Sequence, residues 1–328
     1  MSFIPSYIKL LESGEFDRRV KIAEEILRSC TSCPRECLVD RTNGELGICQ
    51  SRDLPVVSSY TPHFGEEPVL SGTRGAGNIF FGNCNLRCVF CQNYVISQNY
   101  KVESKNEVSI ERLAGIMLEL QDRGCHNIGL VSPTHFSASI LKGIKLAAEK
   151  GLRLPVIYNT NGYDSVEMLK LYDGVIDIYL PDFKWGEDET GRMYSKVKDY
   201  FQRAKLAIKE MYRQTGSNLT IEDDVVVRGL IIRHLVMPNG LAESEKVFEY
   251  IANELDPGIH ISLMAQYYPT NKAHTDILID RKITYTEYAR SLELLNKYGL
   301  ENGWVQEMES NESYRPYFEE TRENPFKN

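Results

Sequence analysis

From residue 77 onward the chain alternates short β-rich runs with longer helical patterns, and no other feature limits its fold so strongly. The strand candidates are Asn78–Phe81, Ile128–Ser132, Pro155–Asn159, Ile176–Leu180, Val226–Leu235 and Ile259–Ala265. Helical patterns lie between them at about 109–122, 136–149, 164–172, 190–214 and 242–255, and a last one near 284–298. Within 190–214, Tyr194, Val197, Phe201, Ala204, Ile208 and Met211 recur at steps of three and four, which marks one buried face. Strands separated by helices pair in parallel, because each return to the same sheet edge needs a crossover. Six units are too few for the closed eight-fold barrel. The expected class is therefore α/β, a partial (β/α)6 barrel of parallel strands with a small cysteine-rich N-terminal lobe. In such folds the chemistry sits at the carboxyl ends of the strands.

The segment before the alternation reads differently. Ile8, Leu11, Phe16, Val20, Ala23, Ile26 and Leu27 have helical spacing over residues 5–28. Residues 30–76 read as irregular, rich in Gly, Pro, Thr and Ser, with a knot of cysteines that suggests a metal-stapled lobe. The expected division is 1–76 as the helical and cysteine-rich lobe, 77–308 as the partial barrel, and 309–328 as a tail. The tail carries Tyr314, Tyr317 and Phe318 and is suited to capping the barrel or meeting a partner.

Apolar residues make up 42% and charged residues 26% of the 328, the balance of a soluble globular chain. A net charge of -8 argues against nucleic acid or an anionic membrane as the main partner. Residues 1–19 carry charges throughout and do not read as a secretory signal. No apolar run is long enough to span a bilayer. The expected location is cytoplasmic, where thiols stay reduced and eight cysteines point to metal or catalysis rather than disulfides.

Cys84, Cys88 and Cys91 stand in a loop directly after the first strand, spaced C-x3-C-x2-C. Thiolates are the usual ligands of iron–sulfur clusters. Three of them on a four-iron cubane leave one iron open, as a reactive metal centre requires. A three-cysteine zinc site completed by His63 or His135 is the plainer alternative. The loop's place before five more β/α units favours the cluster.

This loop, running Cys84-Asn85-Leu86-Arg87-Cys88-Val89-Phe90-Cys91-Gln92-Asn93, resembles the signature of the radical SAM superfamily. Asn159-Thr160-Asn161-Gly162, Asp177-Ile178-Tyr179-Leu180-Pro181-Asp182-Phe183-Lys184 and Ile232-Arg233-His234-Leu235-Val236-Met237-Pro238 extend the likeness. Within the superfamily the chain resembles the activating enzymes of glycyl radical enzymes, such as pyruvate formate-lyase activating enzyme, and their uncharacterised homologues with an N-terminal cysteine cluster. The resemblance implies a [4Fe-4S] cluster on Cys84, Cys88 and Cys91. It implies S-adenosylmethionine (SAM) chelated at the open iron and cleaved by an electron to methionine and a 5′-deoxyadenosyl radical, which abstracts hydrogen. It further implies an electron donor such as flavodoxin or ferredoxin, and a protein-borne glycine as one target. Radical modification of a small molecule or peptide is the alternative activity, and a non-catalytic iron–sulfur electron carrier the alternative class.

The same resemblance places Asn159 and Thr160 in the SAM pocket. Asp182 and Lys184, two apart on a strand, point to one side, where the acid suits ribose hydroxyls and the ammonium a carboxylate. Arg233 is expected to face the methionine end of SAM, and His234 to be a packing residue. The Gly-Gly-Glu stretch with which many radical SAM enzymes hold the SAM amine is absent. Ser132 and Thr134 are candidates to replace it, with His135 facing SAM or substrate. Gln266-Tyr267-Tyr268-Pro269 is expected to face the pocket, His63–Pro68 to be a solvated loop, and Cys125 to be a small buried hydrophobe. Cys30, Cys33, Cys37 and Cys49 offer four soft ligands for a second metal site. Zinc and a second [4Fe-4S] cluster both fit that set.

Overall fold

The computed structural model describes residues 3–308 and 316–326. Its strands are β1 (Val57–His63), β2 (Ala76–Phe81), β3 (Ile128–Val131), β4 (Val156–Thr160), β5 (Ile178–Pro181), β6 (Thr220–Glu222), β7 (Val225–Leu235), β8 (His260–Met264) and β9 (Gly303–Val305). They form one sheet in the order β1-β2-β3-β4-β5-β7-β8-β9, with β6 paired to β7. From β2 to β9 every neighbouring pair on that path is parallel, whereas β1 and β6 join as antiparallel strands. β1 and β9 do not pair with each other, so the barrel stays open.

The six expected strands are all present. Two departures have local causes. Val57–His63 is a strand rather than irregular chain, so the sheet takes in residues upstream of 77. Pro62 within it is tolerated because β1 is an edge strand and its missing donor faces away from the ladder. β9 adds a seventh parallel strand. It is three residues long, and a Cβ on Gly303 (φ +126°) would lie 1.9 Å from the Ile261 carbonyl oxygen. Only a glycine lets this short strand lie against β8.

The helices are α1 (Tyr7–Ser13), α2 (Glu15–Arg28), α3 (Ile110–Asp122), α4 (Ser137–Glu149), α5 (Val166–Leu171), α6 (Tyr200–Thr215), α7 (Ser244–Tyr250) and α8 (Tyr285–Lys297), with shorter turns between. The helix expected over 190–214 is broken. A π-turn at Gly191–Ser195 ends in Lys196 with left-handed backbone, and α6 starts afresh at Tyr200. The apolar period continues across the break because Tyr194 and Val197 are buried beside Ala204, Ile208 and Met211.

Phe16, Val20, Ala23 and Leu27 of α2 are buried, and α2 packs on α4. Ahead of α1, the Ser6 N–H donates to the Asp177 carboxylate at 3.0 Å. The Tyr7 hydroxyl donates to the Leu154 carbonyl at 2.8 Å. Both acceptors precede strands, so the N-terminal helices brace the amino-terminal end of the barrel. Its interior there is filled by Leu70, Ile157, Ile178, Leu180, Val226 and Ile231, one apolar floor to which the β1–β2 connection contributes Leu70. The carboxyl ends of the strands remain free for chemistry.

Candidate active site

One cavity of about 550 Å³ opens above that floor. Every parallel strand supplies a wall residue at or beyond its carboxyl half: Phe80, Val131, Asn159, Asp182, Leu235, Met264 and Val305. Cys84, Cys88 and Cys91 line it together with Ser132, Thr160, Lys184 and Arg233.

The cysteine loop is held by its backbone and by neighbours. Asn83 adopts left-handed backbone (φ 64°) and donates its N–H to the Ile96 carbonyl at 2.8 Å. The Val89 N–H donates to Tyr194 O at 2.9 Å, and Val89 O accepts from the Lys272 N–H at 2.8 Å. Each sulfur has a polar neighbour. Cys84 Sγ accepts from the Leu86 N–H at 3.4 Å and from Asn161 Nδ2 at 3.6 Å. Cys91 Sγ lies 3.2 Å from Ser97 Oγ. Cys88 Sγ lies 3.2 Å from Ser195 Oγ. That serine also accepts from Trp185 Nε1 at 2.8 Å, which leaves its own proton free to donate to a thiolate. The π-turn that breaks the expected helix is what delivers Ser195.

Burial pushes the Cys84 and Cys88 thiols up to about 11, against the pull of the Lys184 ammonium. One buried and two half-buried thiols lining one cavity, each beside a polar hydrogen-bonding group, are a donor set that suits a cluster. The residues present thus fit a [4Fe-4S] group on Cys84, Cys88 and Cys91.

The strand ends beside them are locked to one another. The Tyr200 hydroxyl lies within hydrogen-bond distance of the Asn161 and Asp182 carbonyls, at 2.8 and 2.9 Å, and accepts from the Lys184 N–H at 3.0 Å. A Cβ on Gly162 (φ +80°) would stand 2.3 Å from the Asp182 carbonyl oxygen, so the β4 turn presses on β5 only as glycine. Lys184 is ion-paired with Asp182. Burial works against the Lys184 charge, but the Asp182 carboxylate and the nearby thiols outweigh it and raise its pKa.

Several expected residues stand elsewhere. Thr134 does not line the cavity. It is buried, donating to Asp164 Oδ1 at 2.7 Å beside Thr160 Oγ1 at 3.0 Å, within a polar knot that also receives the Tyr158 hydroxyl. His135 faces neither SAM nor a substrate cavity but the four N-terminal cysteines. Tyr267 is turned away, donating to Ile279 O at 2.7 Å, while Gln266 lines the cavity. His234 is a packing residue, fully buried between Phe183 O at 2.7 Å and Ser244 Oγ at 2.8 Å. Cys125 is buried. Arg233 faces the cavity, but Glu66 and Glu67 hold it: Nε donates to Glu67 Oε1 at 2.8 Å and Nη2 to Glu67 Oε2 at 2.6 Å, with Glu66 also bonded to Nη2.

Glu66 and Glu67 therefore line the cavity, against the expectation of a solvated loop over His63–Pro68. Both carboxylates are nearly buried in the cavity lining, where Leu70, three residues after Glu67, anchors the connection in the barrel floor. Asn78 Nδ2 donates to Glu66 at 2.7 Å. Burial works against the Glu66 charge, but the Arg233 guanidinium more than offsets it and holds the carboxyl below its usual range. Two acids separated by no residue, before a proline, gave no periodicity signal; only the closeness of a lone buried arginine strand position could have pointed to them.

A model of the radical SAM superfamily matches residues 78–221, which contain the cysteine loop and the strand ends just described. An uncharacterized protein, MJ0674, of Methanocaldococcus jannaschii is 37% identical over 301 residues, 90% of this chain and 82% of that protein. The chain belongs to the radical SAM superfamily. As a radical SAM protein it also matches a second uncharacterized Methanocaldococcus jannaschii protein, MJ0808, at 27% identity over 182 residues, 51% of each chain. A solved radical SAM methyltransferase from Sphaerobacter thermophilus aligns at 13% identity with a TM-score of 0.48, over 70% of this chain and 66% of that one. Membership in the superfamily implies the [4Fe-4S] cluster and SAM, which is what the thiols and the polar cavity wall suit.

Proposed function

We propose that this radical SAM protein is an enzyme that reductively cleaves SAM and uses the product radical for hydrogen abstraction inside the 550 Å³ cavity. The observation that carries this reading is the placement of all three signature thiols on one cavity wall, facing the Asp182–Lys184 pair and the β4 turn. A cluster bound by Cys84, Cys88 and Cys91 supplies the electron that splits SAM into methionine and a 5′-deoxyadenosyl radical.

The chain's own residues do the rest. Asn161, Ser97 and the Ser195 hydroxyl donate toward the sulfurs and stabilise their negative charge. Lys184 presents a fixed positive charge for a carboxylate, and Asp182 accepts from hydroxyl groups. Asn159, Thr160 and Ser132 offer further hydrogen-bonding groups on the same wall. Leu86, Phe90 and Met264 keep that wall partly apolar and limit water. Deeper down, two carboxylates share one guanidinium, an excess of one negative charge that favours a ligand group bearing positive charge or N–H donors.

The test is anaerobic reconstitution with iron and sulfide, reduction with dithionite and addition of SAM, with 5′-deoxyadenosine measured by mass spectrometry. A protein carrying a full cluster that yields none overturns the reading. Activation of a glycyl radical enzyme is the finer proposal, and it rests on the resemblance of Cys84–Asn93 and Asp177–Lys184 to activating enzymes. Deuterium passing from a backbone glycine of a partner enzyme into 5′-deoxyadenosine supports it; transfer from a metabolite or peptide instead assigns the alternative. A reduced flavodoxin or ferredoxin is the proposed electron source. Among the described residues no helix is long and apolar enough to cross a membrane.

A further inference from the structure

A second cysteine pocket lies behind the first. Cys30, Cys33, Cys37 and Cys49 line one site together with Arg35, Arg41 and His135. Cys30, Cys33 and Cys49 are buried and Cys37 half-buried. Three observations show that the site is built for a group it does not itself supply.

The first is charge. Arg41 is 1% exposed, and among the described residues its hydrogen bonds go to the Arg52 and His135 carbonyls and to Cys30 Sγ at 3.9 Å, never to a carboxylate. A buried guanidinium needs negative charge beside it. Thiolates bound to a metal centre supply that charge, whereas thiols do not.

The second is unmet hydrogen bonding. Arg35 Nη2 and His135 Nδ1 are buried without any partner, and both residues line this pocket. Thiolates accept such bonds around either metal centre, but the bridging sulfides of a cluster add acceptors that a single zinc ion does not bring.

The third is position. The loop carrying these cysteines is bonded to the loop carrying the other three. Arg35 Nε donates to Asn85 O at 2.9 Å. Asn83 Nδ2 donates to Gln50 O at 3.3 Å and Ser51 Oγ at 3.1 Å. Arg87 Nη2 donates to Ile48 O at 2.5 Å. Asn83, Asn85 and Arg87 are sequence neighbours of Cys84 and Cys88, Ile48, Gln50 and Ser51 of Cys49, and Arg35 lies between Cys33 and Cys37. On the far side Leu38, Leu46 and Ile48 are exposed, so the outer turn faces solvent.

We propose that Cys30, Cys33, Cys37 and Cys49 hold a second [4Fe-4S] cluster that passes electrons to the cluster on Cys84, Cys88 and Cys91. The pocket these residues line has a volume of about 10 Å³, so holding a cluster requires the exposed turn at Leu46–Ile48 to move outward. One electron from a reduced flavodoxin- or ferredoxin-type donor reduces the outer cluster. That cluster is reoxidised as it reduces the inner one. The relay step rests on the proposed SAM cleavage; the metal assignment does not.

The test uses the full chain, reconstituted anaerobically with iron and sulfide, as wild type and as the Cys84→Ala/Cys88→Ala/Cys91→Ala variant. Iron, sulfide and zinc are counted per chain, electron paramagnetic resonance is recorded after reduction, and far-UV circular dichroism confirms folding. Expected are about eight irons in the wild type and about four, with a cubane signal, in the variant. If the variant does not fold, the wild-type count decides. About four irons with one zinc, or about four irons and no other metal, overturns the proposal. A folded Cys30→Ala/Cys33→Ala variant should keep about four irons. Stopped-flow should then show reduction of its remaining cluster by reduced flavodoxin slowed at least tenfold, with dithionite reduction unchanged. Equal slowing by both reductants, or none by flavodoxin, overturns the relay. A chain that loads both clusters yet makes no 5′-deoxyadenosine sinks the proposed function alone.

Discussion

Arg233→Met tests the charge arrangement in the cavity floor. Wild-type Arg233 neutralises part of two buried carboxylates through bonds to both Glu66 and Glu67. Side-chain exposures of 13%, 9% and 6% for Arg233, Glu66 and Glu67 leave little solvent to screen them. Removing one partner of such a set costs about 3–5 kcal/mol, because the remaining charges stay buried and unpaired. The sign with pH follows from the lowered Glu66 pKa. A carboxyl held below its unfolded value of about 4.3 stabilises the fold above that pH and stops doing so as pH falls through the folded value. The variant lacks this term, and its orphaned acids can relieve their cost by binding protons. The deficit should therefore be largest near neutrality and shrink toward pH 5. Urea unfolding of wild type and variant, prepared identically and followed by far-UV circular dichroism at both pH values, measures it. A deficit below about 1 kcal/mol at neutral pH, the scale of an exposed pair, refutes the reasoning. So does the same deficit at both pH values. Adding Glu66→Gln and Glu67→Gln to Arg233→Met should recover much of the loss.

Three further outcomes are expected. Burial raises the Asp177 carboxyl to about 6, so the native state holds a proton that the unfolded chain has released, and stability falls by roughly 3 kcal/mol as pH rises from about 4 through 6; Asp177→Asn should flatten that slope in urea titrations, and an unchanged slope would disprove the assignment. Lys184→Met should weaken SAM binding about tenfold or more, measured by calorimetry on the reconstituted protein, with iron content retained; undiminished affinity removes Lys184 from the site. Gly162→Ala places a methyl group on the Asp182 carbonyl in left-handed backbone and should cost roughly 2 kcal/mol or more; a thermal shift within error would show that β4 and β5 do not meet there.

Legibility in the sequence followed the range of the interactions. The β/α alternation and the three-cysteine loop were readable because periodicity and spacing are local properties, while the cavity places of Ser132, Asn159, Thr160, Asp182, Lys184 and Arg233 needed the family resemblance beside their strand-end positions. Thr134 and His135 follow the same strand end as Ser132, yet they serve a buried polar knot and the rear cysteine pocket. Ser132 takes left-handed backbone, and the chain then curls into a short turn whose direction is set by Asp164 and Gly82, far away in sequence. Glu66 and Glu67 were invisible for the same reason: their burial depends on Leu70 entering a barrel whose other walls come from β4, β5 and β7. β9 escaped notice because three residues carry no period. Of the tail, residues 316–326 pack against the barrel, while Tyr314 lies outside the described residues.

The cavity is not left open on its β1–β2 side. Phe318 and Phe326 rest on Phe80, Phe326 on His63, and Arg322 reaches Glu103, so a late stretch of polypeptide closes part of the cavity from the β1–β2 side. Pro316 and Phe326 join the lining there, opposite no cysteine ligand of their own. On the proposed function, the thiols that serve the radical and the aromatic residues that border this side of the cavity therefore belong to stretches far apart in the chain.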